Sequence, residues 1–189
     1  MTRFVYATAT SLDGFLADTE DSLDWLFAVE GGQDSLASLA GFVAGVGVMV
    51  EGSTTYRWVL SHEGLLESPS KWQQFYGDRI TYVFSSSSDL PLVPGADIRV
   101  VSGSVAALAS ELVEAAAGKD VWIVGGGDLA GQFFDAGLLD EVMLSVAAVT
   151  LGSGAALLPR RIESSTLRLK SVQQIGQFAQ LRYTVSRRG

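Results

Sequence analysis

Three consecutive glycines, Gly125, Gly126 and Gly127, separate two segments of different periodicity. Residues 121–124 are a short run of β-branched and aromatic residues, which is typical of a buried strand. Residues 128–136 have apolar side chains one helical turn apart and are followed by Gly137, a pattern that predicts a helix with a left-handed end. We therefore expect a strand, a glycine turn and a helix, with free N–H groups and the positive end of the helix dipole facing the space above the glycines.

The glycine turn has two interpretations. It is a cradle for a phosphate group, or it is a tight strand-to-helix connection in which glycine is the residue that fits. Neither common nucleotide fingerprint is present, because no Lys-Ser or Lys-Thr pair follows the glycines and no G-x-G-x-x-G motif opens an N-terminal βαβ unit. The glycines alone leave both interpretations open.

Composition argues against several classes of protein. The 189 residues carry a net charge of −8, which disfavours nucleic acid or an anionic membrane as the partner. The chain has no Cys and a single His, so we expect no disulfide and no thiol or His-cluster metal site. It has no N-terminal signal core and no apolar run of about 18 residues. The sequence predicts one cytoplasmic domain spanning residues 1–189.

Apolar patterns predict the order of the elements. Strands are expected at residues 4–9, 46–50, 80–84, 98–101, 121–124 and 141–149, and helices at 34–43, 71–76, 105–117 and 128–136. A short helix is expected after Glu51, and His62 is placed in an irregular loop without a role. Residues 166–172 and 178–185 alternate, which predicts a hairpin. The predicted fold is α/β, with a mostly parallel, helix-flanked central sheet and a C-terminal antiparallel hairpin.

Polar or glycine turns follow four of these strands, at residues 10–14, 52–55, 85–88 and 125–127. In a mostly parallel sheet, ligands bind over the carboxyl ends of the strands. We therefore expect the turns to line one shared cleft. The alternative is that each turn is a separate structural connection.

Several motifs in this order resemble the dihydrofolate reductase superfamily. They are SLDGFLA at residues 11–17, LDWL at 23–26, GSTTY at 52–56, IVGGG at 123–127 and AGLLDE at 136–141. The resemblance is strongest to the bacterial branch related to the reductase domain of riboflavin biosynthesis. It implies a dihydrofolate-reductase-like fold and an NADPH-dependent enzyme that transfers hydride to a C=N or C=O bond of a pterin-like or ribitylamino-pyrimidine-like heterocycle.

The resemblance also implies coenzyme-binding roles for residues of this chain. These residues are Thr8, Gly14, Gly52, Ser53, Thr54, Thr55, Ser85, Ser86, Gly125, Gly126, Gly127 and Asp128. Residues 125–128 match the turn that holds the pyrophosphate, residues 52–55 match a second phosphate-contacting turn, and residues 85–86 match the strand end near the adenosine ribose. Residues 8–14 match the wall beside the nicotinamide. Residues 15–23 match a mobile flap that excludes water.

One departure from the family concerns the coenzyme. The family usually has an Arg where this chain has Ser53, and that Arg pairs with the 2′-phosphate of NADPH. Here Glu51 and Ser53 flank Gly52. A carboxylate at this turn would repel a phosphate but accept hydrogen bonds from a free 2′-hydroxyl. We therefore expect a weakened preference for NADPH, with NADH as the alternative coenzyme.

The second departure concerns the proton donor, for which there are two candidates. Asp24 occupies the position of the acid in classical dihydrofolate reductases, at the start of the helix after the flap, with Trp25 beside it. Asp13 lies in the Leu-Asp-Gly setting of the riboflavin-type branch. Each has a structural alternative, Asp13 as the cap of the turn before Gly14 and Asp24 as a helix N-cap.

The riboflavin-type relatives pair at the antiparallel end of the sheet, so the resemblance also implies a homodimer acting on a small heterocyclic substrate. Two other functions stay open. One is a non-catalytic module that binds a nucleotide or a flavin. The other is a true dihydrofolate reductase.

Overall fold

The computed structural model describes residues 1–87 and 89–186. Ser88, in the predicted turn after the third strand, lies outside the described residues. The strands are β1 (Phe4–Thr10), β2 (Phe15–Ala17), β3 (Val46–Gly52), β4 (Ile80–Phe84), β5 (Ile98–Val101), β6 (Asp120–Gly125), β7 (Leu139–Ala147), β8 (Ala155–Ala156), β9 (Leu167–Ile175) and β10 (Phe178–Val185). The helices are α1 (Asp24–Phe27), α2 (Gly32–Val43), α3 (Ser53–Glu63), α4 (Ser70–Tyr76), α5 (Val105–Ala115) and α6 (Gly127–Asp135).

One large sheet organises these elements, with the strand order β5-β4-β3-β6-β1-β7-β10-β9. The pairs from β5 through to β7 are parallel, whereas β10 pairs antiparallel with β7 and β9. This confirms the predicted α/β fold, with its mostly parallel sheet and its C-terminal antiparallel hairpin. Because β4, β3, β6 and β1 are parallel neighbours, their carboxyl ends lie side by side, and the four predicted turns follow these ends.

Alternation along β3 shows how the sheet is covered on both faces. Val48 and Val50 belong to a buried cluster with residues of β1, β6, α5 and α6. Met49 points to the opposite face, in a second cluster with Trp122 that α2 covers. Glu51 is the next residue of β3 on the Met49 side. The strand therefore carries a carboxyl group into an otherwise apolar layer.

Helix α3 is longer than the sequence pattern indicates. It starts directly after β3 and runs to Glu63, where Gly64 ends it in the left-handed conformation with φ of 58°. The prediction that His62 lies in a loop is therefore wrong. Its imidazole stacks on the rings of Phe27 and Trp58, with centroid distances of 4.8 and 4.5 Å. This contact with α1 stabilises the last turn of α3, whose sequence is polar and has no regular apolar pattern.

A second, two-stranded sheet is formed by β2 and β8. Phe15 and Ala17 of β2 pair with Ala156 and Ala155 of β8. The first three residues of the predicted flap are therefore strand rather than loop. A Cβ at Gly154 would clash with the carbonyl oxygen of Ala17, so glycine is needed for the two segments to approach.

Two helix starts differ from the predicted ones. Helix α2 begins at Gly32, after Gly31 in the left-handed conformation, two residues before the predicted start at residue 34. Helix α6 begins at Gly127, one residue before the predicted start. Among the helices of the described chain, none combines the length and the apolar character needed to cross a membrane.

Candidate functional site

The two glycine turns after β3 and β6 pack against each other. A Cβ built on Gly52 would lie 3.9 Å from the amide nitrogen of Gly126 and 4.0 Å from the carbonyl oxygen of Gly125. A Cβ on Gly125 would lie 3.2 Å from the hydroxyl oxygen of Thr55, which is closer than side chains normally approach. The glycines thus allow two turns that are far apart in sequence to form one surface.

Two helices start at this surface. Gly52 is the N-cap of α3 and Gly126 is the N-cap of α6, and neither helix has a side chain that caps its first turn. The first N–H groups of a helix have no partner within the helix, and the helix dipole places a partial positive charge there. Gly126 has extended dihedrals (φ −86°, ψ −176°) and open space where a side chain would stand. The arrangement is suited to bind an anionic group above Gly126.

Gly127 and Asp128 have other contacts. A Cβ on Gly127 would clash with the carbonyl oxygens of Ala156 and Leu157, so one side of this residue is covered by β8 and the residue after it. The exposed Asp128 carboxylate accepts a hydrogen bond from Gln132 at 3.0 Å and pairs with Arg160 at 3.1 Å. The hydrogen bond from Gln132, followed by that from Arg160, lowers the pKa of Asp128. Arg160 therefore balances a negative charge at the start of α6.

The turn after β1 is fixed by Asp13. Its carboxylate accepts hydrogen bonds from the Ser11 hydroxyl at 2.6 Å and from the backbone N–H groups of Leu151 and Gly152 at 3.1 and 2.7 Å. These donors, the Ser11 hydroxyl first, hold the pKa of Asp13 below its usual value. The carboxylate thus connects the β1 turn to the segment that follows β7.

Asp24 has a different setting. It is the first residue of α1, it is exposed, and its backbone N–H donates to the Ser22 hydroxyl at 3.0 Å. The N-cap of α1 is Leu23, so the alternative of Asp24 as an N-cap is wrong. The indole N–H of the neighbouring Trp25 is buried and has no hydrogen-bond partner among residues 1–87 and 89–186.

The remaining predicted residues lie at or near the same edge. Thr8 is in β1, which is parallel to β6, and its hydroxyl donates to the carbonyl oxygen of Ala9 at 3.3 Å.

Ser85 follows β4, the strand beside β3. Its N–H donates to the carbonyl oxygen of Val101 at 2.9 Å, and its hydroxyl oxygen accepts from the N–H of Ser87 at 3.0 Å. Ser53, Thr54 and Thr55 form the first turn of α3, and Ser86 is exposed after β4. Gly14 has φ of 85°, and its carbonyl oxygen accepts from Leu157 at 2.9 Å.

Glu51 differs from the sequence-based expectation. Only 2% of the residue is exposed, so its carboxyl group is in the core and not on the surface beside Gly52. Burial raises the pKa of Glu51 to about 8. Burial in the first place, and the neighbouring Glu51 in the second, raise the pKa of Tyr56 to about 12. At neutral pH the Glu51 carboxyl group is protonated, so it does not repel a phosphate at this turn. Sequence reasoning missed this because Glu51 directly precedes a glycine turn, which suggests exposure.

The model of the family described as the RibD C-terminal domain matches residues 3–181 of the chain. The chain belongs to this family. This chain is 31% identical over 181 residues to a Bacillus subtilis (strain 168) protein named "Uncharacterized protein YwjB". The match covers 96% of this chain and 97% of that protein. The suspected resemblance to the riboflavin-biosynthesis reductases is thereby confirmed.

Solved structures of other proteins have the same fold as this chain. A crystal structure from Shewanella sp. PV-4, whose name refers to riboflavin biosynthesis, superposes with a TM-score of 0.80 at 23% identity and covers 99% of this chain and 100% of that one. The dihydrofolate reductase of Enterococcus faecalis, complexed with NADP(H) and RAB-propyl, superposes with a TM-score of 0.57 at 16% identity and covers 99% and 97%. The fold is therefore dihydrofolate-reductase-like.

Proposed function

We propose that the protein is an NAD(P)H-dependent reductase that transfers hydride to a small heterocycle, pterin-like or ribitylamino-pyrimidine-like. The observation that carries the proposal is the meeting of two uncapped helix N-termini at the paired glycine turns of Gly52 and Gly126. Two partly positive helix ends over an open glycine surface suit the pyrophosphate of a dinucleotide. Membership of a family of riboflavin-type reductases supports the same reaction class.

The proposed coenzyme site runs across the carboxyl ends of β4, β3, β6 and β1, which lie side by side in the sheet. Residues 52–55 and 125–127 would hold the pyrophosphate through backbone N–H groups, since a side chain at Gly52 or Gly125 would fill the space between the turns. Ser85 and Ser86 would face the adenosine ribose, and residues 8–14 would form the wall beside the nicotinamide. When bound, the coenzyme supplies the hydride. The protein contributes binding, orientation and exclusion of water.

Of the two carboxylates, Asp24 is the better candidate to handle the proton. The carboxylate of Asp13 already accepts three hydrogen bonds, and a lowered pKa makes it a poor proton donor. Asp24 stands at the start of α1 with its carboxylate exposed. We assign loop positioning to Asp13 and proton delivery to Asp24, with the whole chain as one domain that acts as a homodimer.

A second candidate is a non-catalytic module that binds a nucleotide or a flavin. The observation that favours it is the setting of the two acids, because Asp13 is occupied by backbone donors and Asp24 is exposed rather than buried. A buried acid with a raised pKa is the usual proton donor in such chemistry. This candidate keeps the coenzyme cleft and loses the reaction.

The test begins with fluorescence titrations of the purified protein with NADPH and with NADH, using energy transfer from the tryptophans. Micromolar binding followed by NAD(P)H oxidation with a pterin or a ribitylamino-pyrimidine supports the reductase. Binding without oxidation of any substrate in that screen favours the binding module. Tight methotrexate binding together with dihydrofolate turnover would identify a true dihydrofolate reductase. No binding of either coenzyme up to millimolar concentration would overturn the proposal.

A further inference from the structure

Arg57 is an exposed guanidinium one helical turn inside α3, and it has no carboxylate partner in the described chain. Five other arginines form an ion pair with at least one carboxylate; they are Arg3, Arg99, Arg160, Arg161 and Arg182. The hydrogen bond that Arg57 makes is a long one, 3.5 Å from Nη2 to the backbone carbonyl oxygen of Asp89. Its charge is therefore available for a ligand.

The position of Arg57 on α3 brings it to the edge of the proposed coenzyme cleft. Residues four apart in a helix share a face, so Arg57 lies on the same face as Ser53, about 6 Å further along the axis. Helical side chains also lean towards the N-terminus and cover the preceding turn. The preceding turn is the first turn of α3, whose N–H groups are free of a side-chain cap.

The contact with Asp89 places the guanidinium beside the chain that follows β4. Two hydroxyl groups lie in this stretch: Ser85 accepts from the N–H of Ser87 at 3.0 Å, and Ser87 accepts from the N–H of Asp89 at 3.2 Å. Since both hydroxyl oxygens act as acceptors there, their O–H groups are left to donate. The guanidinium therefore contacts the same loop that carries these hydroxyl groups, and both kinds of donor suit a phosphomonoester.

We propose that Arg57 selects for NADPH by pairing with its 2′-phosphate. This inference rests on the proposed coenzyme site. The helix end at Gly52 would hold the pyrophosphate, and Arg57 together with the Ser85 hydroxyl would hold a second phosphate group beside it. A phosphate outside the pyrophosphate is the group that distinguishes NADPH from NADH. The charge that Ser53 does not supply is provided from the next turn of the same helix.

No buried negative charge opposes this assignment at neutral pH. Glu51, the acid nearest to Ser53 in sequence, is protonated in the core. Arg57 approaches the backbone carbonyl of Asp89 and makes no ion pair with its carboxylate in the described chain. The chain therefore keeps a preference for NADPH, in contrast to the weakened preference that Ser53 and Glu51 suggest in the sequence.

The test measures dissociation constants for NADPH and NADH with the full-length protein and two matched variants. Arg57→Gln removes the charge and keeps most of the side-chain stem. Arg168→Gln is the control, because Arg168 is also exposed and without an ion pair in the described residues, but lies in β9, six strands from β4 and about 29 Å away. Thermal unfolding of each variant reports whether the fold is retained.

We expect the unmodified protein to bind NADPH about tenfold to a hundredfold more tightly than NADH. Arg57→Gln should bring the two dissociation constants together by weakening NADPH alone, and Arg168→Gln should leave both unchanged. Equal affinities in the unmodified protein, or an equal effect of Arg57→Gln on both coenzymes, would overturn the role of Arg57 while leaving the reductase proposal in place. Binding of neither coenzyme would overturn both.

Discussion

Glu51 on β3 lies opposite Gly125 on the parallel strand β6, so a buried carboxyl group stands in the same row as the glycine turn. The described residues give this group no hydrogen bond or ion pair, and burial raises its pKa to about 8. The protein therefore holds a neutral acid within two residues of Ser53, next to the proposed pyrophosphate site. Burying such a group lowers the free energy of unfolding, and this cost can be measured.

The first prediction is that Glu51→Gln stabilises the protein most at neutral and alkaline pH. The folded pKa of about 8 is above the ordinary 4.5, so between these values the folded chain holds a proton that the unfolded chain has released. The contribution of Glu51 to the free energy of unfolding is greatest below pH 4.5. It falls as the pH rises towards 8, by about 1.4 kcal/mol per pH unit. Glutamine does not titrate, so the gain at pH 7 should be on the order of 3 kcal/mol.

Urea unfolding at pH 5, 6, 7 and 8 measures this difference for the unmodified protein and for the variant. Glu114→Gln is the control, because Glu114 is exposed on α5 and its neutralisation should leave the pH profile unchanged. Parallel profiles of the unmodified protein and Glu51→Gln would show that Glu51 is ionised in the folded state and that the prediction is wrong.

The second prediction concerns Gly126, the N-cap of α6. Its φ of −86° suits any residue, and a Cβ there meets no atom within 4 Å. Gly126→Ala should therefore fold normally, but its methyl group would occupy the space assigned to the pyrophosphate. We expect the dissociation constant of the coenzyme to rise by at least about tenfold, as for the loss of one charge-assisted contact.

Gly41→Ala is the matched control for this substitution, since its Cβ also meets nothing within 4 Å but it lies within α2. Alanine is the better helix former, so this variant should gain about 0.5–1 kcal/mol of stability and keep its coenzyme affinity. Unchanged binding by Gly126→Ala would mean that the coenzyme does not approach this turn.

The third prediction separates the two carboxylates at the cleft. Asp24→Asn should retain the unfolding midpoint and coenzyme affinity of the unmodified protein, and lose turnover with any substrate that the screen identifies. Asp13→Ala should lower the unfolding midpoint instead, because the N–H groups of Leu151 and Gly152 lose their acceptor. Full turnover by Asp24→Asn would remove Asp24 from the reaction. The same experiment would then point to a donor outside these two acids.

Local patterns in the sequence predicted most of the fold, because parallel strands and their helices alternate in apolar runs that are easily recognised. The glycine turn at Gly126 and its helix were found in this way, as was the hairpin of β9 and β10. Motif order then indicated the family. The shared edge followed from topology, since parallel neighbours end on one side.

What the sequence did not predict depends on contacts between distant residues. Strand β8 consists of Ala155 and Ala156, which have no pattern of their own and become a strand only by pairing with β2. His62 is held in helix by stacking on Phe27, which is 35 positions away in sequence. Glu51 is buried because β3 continues to Gly52 between β4 and β6, so a polar residue that suggests a turn is covered by its neighbours.

The edge strand β9 has an exposed apolar face, which is the contact surface we propose for the homodimer. A bulge opposite Arg182 and Tyr183 shifts the register, so Leu169 pairs with Tyr183 and Val172 pairs with Leu181. Directly paired residues point to the same face, and Leu169 and Val172 therefore lie together on the outermost strand, with 57% and 59% of their surface exposed. An exposed edge with an apolar face is a typical place for two chains to meet.

The last prediction is that Val172→Lys converts a dimer into a monomer without loss of coenzyme affinity, since the change is on the strand furthest from the cleft. Gln173→Lys is the control, because Gln173 is exposed on the same strand and points to the opposite face, paired with Gln180. Light scattering after size-exclusion chromatography gives the mass of each variant. A monomeric unmodified protein would contradict the proposed homodimer. Dimers that survive Val172→Lys and dissociate with Gln173→Lys would place the contact elsewhere. In a Val172→Lys dimer, two lysine charges would be buried in the interface. This is unfavourable enough to dissociate the dimer at micromolar concentrations, so the outcomes can be told apart.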